Sequence, residues 1–210
     1  MKIETVKTLW SENELKQNTY VVIGDSSCVV IDAGCPLQKV REVTDKPIEA
    51  VFITHGHIDH IEYVEQYDKL GVPIFCNYLT ENFFDDSILN ASRLLKSPIT
   101  FEVHNLHLIK DNDEIPLWGG IVKCLHTPGH TIDGMCYLFF DDIIFSGDTL
   151  FSIAVGRYDL KTGNCQQLLE SIQRLNNVNY TTLYPGHGRY SNKTEQNTNI
   201  PRWIAELSKM

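Results

Sequence analysis

The chain has 210 residues, of which 42% are hydrophobic and 21% are charged. These fractions are typical of globular proteins and exclude disordered, fibrous and collagen-like chains, and the length predicts one domain. Eighteen basic residues stand against 27 acidic ones, which gives a net charge of −9. This balance argues against a nucleic-acid partner and against binding to an anionic membrane.

Apolar runs of strand length alternate with stretches of helical spacing along the chain. The predicted strands cover residues 20–23, 28–31, 50–54, 73–77, 121–126, 135–140, 143–146 and 181–184. The predicted helices cover residues 37–44, 60–70, a segment near 81–95, 166–175 and 201–209, the last with proline at its first position. Strands occur in hairpin-like pairs as well as in strand–helix units, so we predict an α/β fold with mixed sheets.

The amino-terminal sequence MKIETVKTLW lacks the apolar segment of a secretory signal, and no apolar stretch approaches the roughly 18 residues of a membrane span. We therefore expect a cytoplasmic protein. The six cysteines include no Cys-x-x-Cys pair, and most of them stand in apolar runs. Buried, reduced thiols are the expectation, with a disulfide framework as the weaker alternative.

The highest concentration of candidate functional side chains follows the third predicted strand, in the sequence THGHIDH of residues 54–60. Three histidines and a carboxylate so close together arise by chance in about one chain in a thousand at this composition. His55 and His57 are two residues apart in an extended turn and can bind one ion, whereas Asp59 and His60 begin the next helix and can bind a neighbouring one. The alternative is a cluster of surface histidines that holds no metal.

Three further strand ends carry candidate ligands: His130 in HTPGHT, Asp148 in FSGDTL and His187 in YPGHG. Each follows an apolar run and has a glycine nearby, which lets the backbone turn sharply and present the side chain at the rim of a sheet. A single histidine beside a strand is more often structural. Together with the first motif, however, these residues complete seven ligands, about the number that two ions with a bridging carboxylate and hydroxide need.

The order HxHxDH, His, Asp, His resembles the metallo-β-lactamase superfamily, and within it the glyoxalase II-like thioesterases of the short bacterial type. The likeness runs from VVIDAG at 29–34 through TPGHT and GDTLF to GRYDL at 156–160 and YPGHG at 184–188. It implies a single metallo-β-lactamase domain over residues 1–210, with an αββα four-layer sandwich of two mixed β-sheets. It also implies two metal sites, the first held by His55, His57 and His130, the second by Asp59, His60 and His187, with Asp148 bridging them.

The resemblance implies a dinuclear hydrolase that cleaves an acyl-thiol, such as hydroxyacylglutathione, by means of a metal-bound hydroxide. Asp59 and Asp148 are then catalytic residues as metal ligands. Two divalent ions are expected, zinc first, with iron and manganese as alternatives because His and Asp ligands accept all three. The expected partner is a small-molecule thioester, and the thiol carrier, acyl group and oligomeric state stay open.

Two residues near the motifs have expected supporting roles. Arg157 stands where the long glyoxalase II enzymes place a basic residue that contacts glutathione, so it is predicted to bind substrate; a surface ion pair with Asp159 is the alternative. Asp32 resembles the family's aspartate that supports the metal loops and could accept a proton from a ligand imidazole, although it could also simply cap a turn. The remaining histidines, expected in strands and without metal, are His104, His107 and His126.

Other functions in the same superfamily compete with the thioesterase. A persulfide dioxygenase keeps the HxHxDH motif but uses one iron, and it usually carries an arginine where this chain has Ile153. A noncatalytic member would be expected to have lost ligands, and none is lost here. Only 23 residues follow His187, too few for the helical domain of the long glyoxalase II enzymes, so the short type is the expectation.

Overall fold

The computed structural model describes residues 1–9, 16–94 and 98–210. The chain divides into two compact units, residues 1–109 and 110–210. Each unit contains one six-stranded sheet with both parallel and antiparallel pairs. The prediction of an α/β fold with mixed sheets is confirmed, while a single domain over the whole chain stays a prediction.

In the first unit the strands lie side by side in chain order. They are β1 Lys2–Leu9, β2 Lys16–Ile23, β3 Cys28–Ile31, β4 Ile48–Phe52, β5 Ile74–Asn77 and β6 Leu106–Ile109. Strands β1 to β3 pair antiparallel, and β3 to β6 pair parallel. The helices are α1 Leu37–Arg41, α2 Ile58–Ile61, α3 Val64–Asp68 and α4 Glu81–Asp85, with a 3₁₀ turn at Ser92–Leu94.

The parallel strands of the first unit determine where its polar candidate residues lie. All four residues of β3 are buried, and Val30, Val51 and Tyr67 belong to one apolar core. Because β3 and β4 run parallel, their carboxyl ends reach the same edge of the sheet. Asp32 follows β3 and His55 follows β4, so that edge collects the polar residues of the two strand ends.

The second unit contains a sheet in the order β12-β11-β10-β9-β8-β7. Its strands are β7 Glu114–Leu117, β8 Gly120–His126, β9 Met135–Phe139, β10 Ile143–Gly147, β11 Thr182–Pro185 and β12 Ser191–Asn192. Only β10 and β11 pair parallel among these strands of the described chain. Two helices, α5 Cys165–Asn176 and α6 Lys193–Leu207, pack against each other. Leu168, Leu169, Ile172 and Leu175 form the buried stripe of α5, as the sequence predicts.

The predicted helix at 60–70 is instead two short helices, α2 and α3. The break falls at Tyr63, whose backbone N–H donates to the carbonyl of Ala33 at 2.9 Å and so leaves the helical hydrogen-bond pattern. The prediction near 81–95 is likewise reduced to α4 and the 3₁₀ turn, and residue 95 lies outside the described residues.

The last helix begins eight residues before its predicted start at Pro201. Asn192 caps it in a capping box with Glu195, and Pro201 lies inside the helix. Proline removes one helical hydrogen bond, to the carbonyl of Asn197. Both residues are exposed, so water can satisfy that carbonyl and the helix continues.

Four strands, β1, β6, β7 and β12, fall outside the predicted strand ranges. Of the two histidines expected in a strand near β6, His107 lies in it and His104 precedes it. Five of the six cysteines are buried, as expected, and Cys165 is partly exposed; none of them forms a disulfide within the described residues. Burial raises the pKa of the Cys136 thiol to about 11. Across the described ranges, no helix is both long enough and apolar enough to span a membrane.

Candidate metal centre

Four of the seven predicted ligands form a cluster in the first unit, at the turn from β4 into α2. Nε2 of His55 lies 3.2 Å from Nδ1 of His57. Nε2 of His60 lies 3.6 Å from Oδ2 of Asp59. The three histidines are buried and Asp59 is partly buried. The structure therefore brings the four side chains of the HxHxDH motif together as two neighbouring pairs of donors.

Asp32 supports this cluster from the end of β3. Its Oδ2 accepts a hydrogen bond from Nδ1 of His60 at 2.7 Å, and the carboxylate also accepts from the backbone N and the Oγ1 of Thr54, at 2.7 and 2.9 Å. The residue is 1% exposed and has a φ of 64°, a conformation that aspartate adopts more readily than most residues. Because the carboxylate accepts this hydrogen bond, the proton stays on Nδ1, and Nε2 of His60 carries the lone pair that a metal would use.

The other three predicted ligands form a cluster in the second unit. Oδ2 of Asp148 lies 3.6 Å from Nε2 of His130 and 3.3 Å from Nε2 of His187. Asp148 follows β10 and His187 follows β11, and these two strands are parallel neighbours. Both side chains therefore leave the sheet at the same edge, which places one carboxylate oxygen next to two imidazoles.

A backbone carbonyl orients the His130 imidazole, a contact that the sequence does not predict. Nδ1 of His130 donates to the carbonyl oxygen of Arg157 at 2.7 Å. A carbonyl only accepts, so this bond fixes the proton on Nδ1 and leaves the lone pair on Nε2. The close approach depends on Gly156, where an added Cβ would overlap the carbonyl oxygen of Asp148 and touch the Cβ of His130.

Two buried hydroxyls connect the loops that carry His130 and Asp148. Oγ1 of Thr127 lies 3.0 Å from Oγ1 of Thr149, and the latter also donates to the Thr127 carbonyl at 3.3 Å. Thr127 is in the HTPGHT motif and Thr149 in GDTL. The sequence offers a signal for this pair, since a threonine stands one residue from the aspartate ligand, but it does not show that the two hydroxyls meet.

The Arg157 side chain extends to the surface. Its guanidinium donates to both carboxylate oxygens of Asp159, each at 2.7 Å, and the Arg157 and Asp159 side chains are 59% and 63% exposed. The pairing raises the pKa of Arg157 and lowers that of the Asp159 carboxyl to about 2. The ion pair that the sequence offered as the alternative is therefore present, and substrate binding by Arg157 stays a prediction.

The other histidines have structural partners. His126 ends β8, and its Nε2 contacts the carbonyl oxygen of Ile132 at 2.8 Å. Nδ1 of His104 lies 3.1 Å from Oδ2 of Asp68, a contact that raises the pKa of His104. His107 lies in β6, as expected, with its ring near that of Phe75.

The donor atoms of both clusters fit divalent ions. Two nitrogens bound to one tetrahedral zinc at about 2.05 Å lie about 3.3 Å apart. The donor separations within the clusters run from 3.2 to 3.6 Å. Imidazole and carboxylate donors suit zinc, iron and manganese, and none of the seven residues is a soft thiolate.

Two mixed sheets with histidines and aspartates at their strand ends define a metal-binding α/β protein. Residues 13–187 match the family model described as the Metallo-beta-lactamase superfamily. The chain belongs to this superfamily and has its fold. At the level that the family and the relatives share, it is a metal-dependent hydrolase.

The chain is similar in sequence to two proteins from Bacillus subtilis (strain 168) whose names describe them as hydrolases. The "Probable metallo-hydrolase YqgX" is 31% identical over 88% of this chain and 92% of its own length. The "Probable polyketide biosynthesis zinc-dependent hydrolase PksB" is 28% identical over 77% of this chain and 67% of its own length.

Solved structures share the fold over most of the chain. The BLEG-1 B3 metallo-beta-lactamase has a TM-score of 0.84 at 26% identity and covers 96% of this chain and 99% of its own. TTHA1623 in a di-iron-bound form has a TM-score of 0.76 at 26% identity, covering 94% and 99%. ETHE1 from Myxococcus xanthus has a TM-score of 0.68 at 25% identity, covering 98% and 85%.

Proposed function

We propose that the chain is a dinuclear thioesterase of the glyoxalase II type. The seven ligands would hold two divalent ions: His55, His57 and His130 the first, and Asp59, His60 and His187 the second, with Asp148 shared. The observation that carries this proposal is that each cluster contains a histidine whose Nδ1 is already bound, so that Nε2 is directed to its neighbouring carboxylate. Such support is typical of metal-ligating histidines.

When bound, the ions would lower the pKa of a water molecule and polarise the thioester carbonyl, next to which the C–S bond is cleaved. The protein's own groups prepare for this chemistry before any metal arrives. Asp32 and the Arg157 carbonyl hold His60 and His130 in the tautomers that ligation needs. Burial of His55, His57 and His60 limits the access of bulk water to their nitrogens, which strengthens the local electrostatic interactions.

A thioester is the substrate class that best matches the residues of the motifs. A thiolate is a good leaving group and needs little help from a general acid. The ligand motifs offer no obvious general acid besides the ligands themselves, since Nε2 of His126 already contacts the carbonyl oxygen of Ile132. The Arg157 guanidinium could bind a carboxylate of the thiol carrier through two parallel hydrogen bonds. It now makes this type of contact with Asp159.

Zinc is the metal that we propose first. The name of the PksB relative supports zinc, whereas the di-iron form of TTHA1623 supports two ions and keeps iron as an alternative. We further propose that the chain works as a single domain in the cytoplasm on a small molecule, without nucleic-acid or membrane partners. The net charge of −9 supports the absence of a nucleic-acid partner.

The substitution Asp59→Ala tests the dinuclear site. Metal content is measured in the parent and in the variant, together with the hydrolysis of a panel of thioesters with different thiol carriers. We expect close to two ions per parent chain, close to one per variant chain, and a loss of hydrolysis of about a hundredfold or more. Asp45→Ala, at an exposed aspartate of the same unit, is the matched control and should change neither quantity.

A mononuclear iron persulfide dioxygenase is the second candidate, which the similarity to ETHE1 supports. In that case the parent would purify with one iron, Asp59→Ala would leave the metal content unchanged, and a persulfide would drive oxygen consumption while thioesters stayed intact. A β-lactam belongs in the panel because of the likeness to BLEG-1. Turnover of the β-lactam alone would refute the thioesterase proposal but keep the metal site.

A further inference from the structure

Helix α6 lies beyond the residues that match the family model, and it buries polar side chains. Gln196 is fully buried and Asn199 is 8% exposed. A buried amide costs free energy unless its hydrogen bonds are made, whereas an apolar residue would fill the same space without that requirement. The two amides therefore indicate that this helix does more than cover the apolar core.

The amides bind the backbone of the segment that follows Asp148. Nε2 of Gln196 donates to the carbonyl oxygen of Phe151 at 3.0 Å and to Oγ of Ser191 at 2.8 Å, and it lies 3.3 Å from the carbonyl oxygen of Ser152. Nδ2 of Asn199 donates to the Phe151 carbonyl at 3.3 Å and to Oε1 of Gln196 at 3.0 Å. The two side chains thus form one unit that holds two consecutive carbonyls.

Trp203 continues the same row of donors along the helix. Its indole Nε1 donates to the carbonyl oxygen of Ile153 at 3.1 Å. Positions 196, 199 and 203 follow the i, i+3, i+7 spacing of a single helix face. That face therefore contacts the carbonyls of three consecutive residues, 151–153, and recognises the backbone there rather than its side chains.

The segment that these donors hold is a tight loop over residues 150–155, which we name the 150–155 loop. Leu150 and Val155 form an antiparallel bridge, and the Phe151 N–H donates to the Ala154 carbonyl at 2.8 Å. The ring of Phe151 lies edge-on to the ring of His187, with centroids 6.1 Å apart and planes at 72°. The loop therefore begins two residues after one ligand of the second unit's cluster and packs against another.

We propose that Gln196, Asn199 and Trp203 are positioning residues that fix the 150–155 loop and, through Phe151, the orientation of the His187 imidazole. Without these three side chains, the carbonyls of residues 151–153 would lose their hydrogen-bond donors on α6. The Phe151 ring would then no longer hold the imidazole of His187 next to Asp148. The effect on metal binding rests on the proposed function, whereas the effect on the loop does not.

Hydrogen exchange of the metal-free protein tests the loop directly. In Gln196→Met, which keeps the side-chain length but removes the Nε2 donors and the Oε1 that accepts from Asn199, the amide of Phe151 should exchange about tenfold faster or more, the effect of losing at least one net hydrogen bond. Amides of β9 should keep their protection. Gln173→Met, the same change at an exposed position of α5, is the control and should alter neither set.

Zinc binding by chelator competition tests the consequence for the ligand. The weaker zinc site should lose about tenfold in affinity in Gln196→Met and about threefold in Trp203→Phe, which removes only the bond to Ile153. If Gln196→Met does not fold, Trp203→Phe decides by the same two measurements. A merely structural role would accelerate exchange throughout the unit and leave zinc affinity unchanged in the folded protein, which would overturn the proposal.

The two proposals fail in distinguishable ways. If the 150–155 loop loses protection and zinc affinity falls, while the parent hydrolyses no thioester, the positioning role stands and only the thioesterase assignment is lost. If the parent hydrolyses thioesters and both variants bind zinc as the parent does, the thioesterase assignment stands and the positioning role is refuted.

Discussion

The substitution Asp32→Asn separates a metal-supporting aspartate from one that only caps a turn. Asparagine has the shape of aspartate and tolerates the φ of 64° at this position. One carboxylate oxygen is replaced by an NH₂ group, however, so the side chain can no longer accept from both the backbone N–H of Thr54 and Nδ1 of His60. If the amide oxygen keeps the Thr54 N–H, the NH₂ group faces Nδ1 of His60.

The expected loss follows from the bond between His60 and Asp32. To accept from the new NH₂ group, Nδ1 of His60 must give up its proton to Nε2, the atom predicted to bind metal. A hydrogen bond to a charged group contributes about 1.5–3 kcal/mol, which corresponds to about 10- to 150-fold in metal affinity. Substitutions of residues that orient metal ligands commonly cost about 10- to 100-fold, which is the same range.

Zinc affinity by chelator competition, combined with thermal unfolding of the metal-free protein, measures the two roles separately. Weaker zinc binding in Asp32→Asn is the expected result, while Asp45→Asn, at an exposed aspartate of the same unit, should bind zinc as the parent does. A lower unfolding temperature with unchanged zinc affinity would mean that Asp32 only caps the turn, and the argument from tautomers would be wrong.

Other perturbations probe the backbone, the substrate and pH. Gly156→Ala should weaken zinc binding by about tenfold or more in a competition titration, because the new Cβ displaces the adjoining ligand loop. Arg157→Ala should raise KM for thioesters about tenfold at unchanged metal content, since its carbonyl remains, whereas Asp159→Ala should not raise KM. Asp68 raises the pKa of His104 above its ordinary value of 6.5. The difference in unfolding free energy between the parent and His104→Ala should therefore be largest below about pH 6 and vanish as the pH rises through the pKa of the folded protein. An equal difference at pH 5 and pH 9 would contradict this.

The sequence indicates the candidate ligand motifs because each is short and stands at the end of an apolar strand. THGHIDH follows β4, Asp148 follows β10 and His187 follows β11. The alternation of apolar strands with glycine-rich turns is visible in short stretches of sequence, so it can be recognised without knowledge of the tertiary structure. The sequence does not indicate the edge strands β1 and β7 because partly exposed edge strands lack a continuous apolar run.

The sequence misplaces the start of α6 because a proline such as Pro201 is typical of a first helical position. Proline is favoured there, but a solvated carbonyl four residues earlier also permits it inside a helix. The Asn192–Glu195 capping box is the sequence signal that would have given the observed start. The row of donors on α6 could not have been predicted, because its acceptors are backbone carbonyls more than forty residues away in sequence.

The two orienting bonds differ in charge, and that difference has a consequence for the metals. His60 donates to a buried carboxylate, whereas His130 donates to a neutral backbone carbonyl. A carboxylate acceptor makes the imidazole a more basic ligand than a carbonyl does. The support of His60 is therefore both stronger and exposed to mutation at a single side chain, Asp32. The hydrogen bond of His130 goes to the backbone of Arg157, so replacing the Arg157 side chain leaves it intact, and it breaks only when the backbone moves. The orientation of His130 therefore depends more on the glycine at position 156 than on the arginine side chain that follows it.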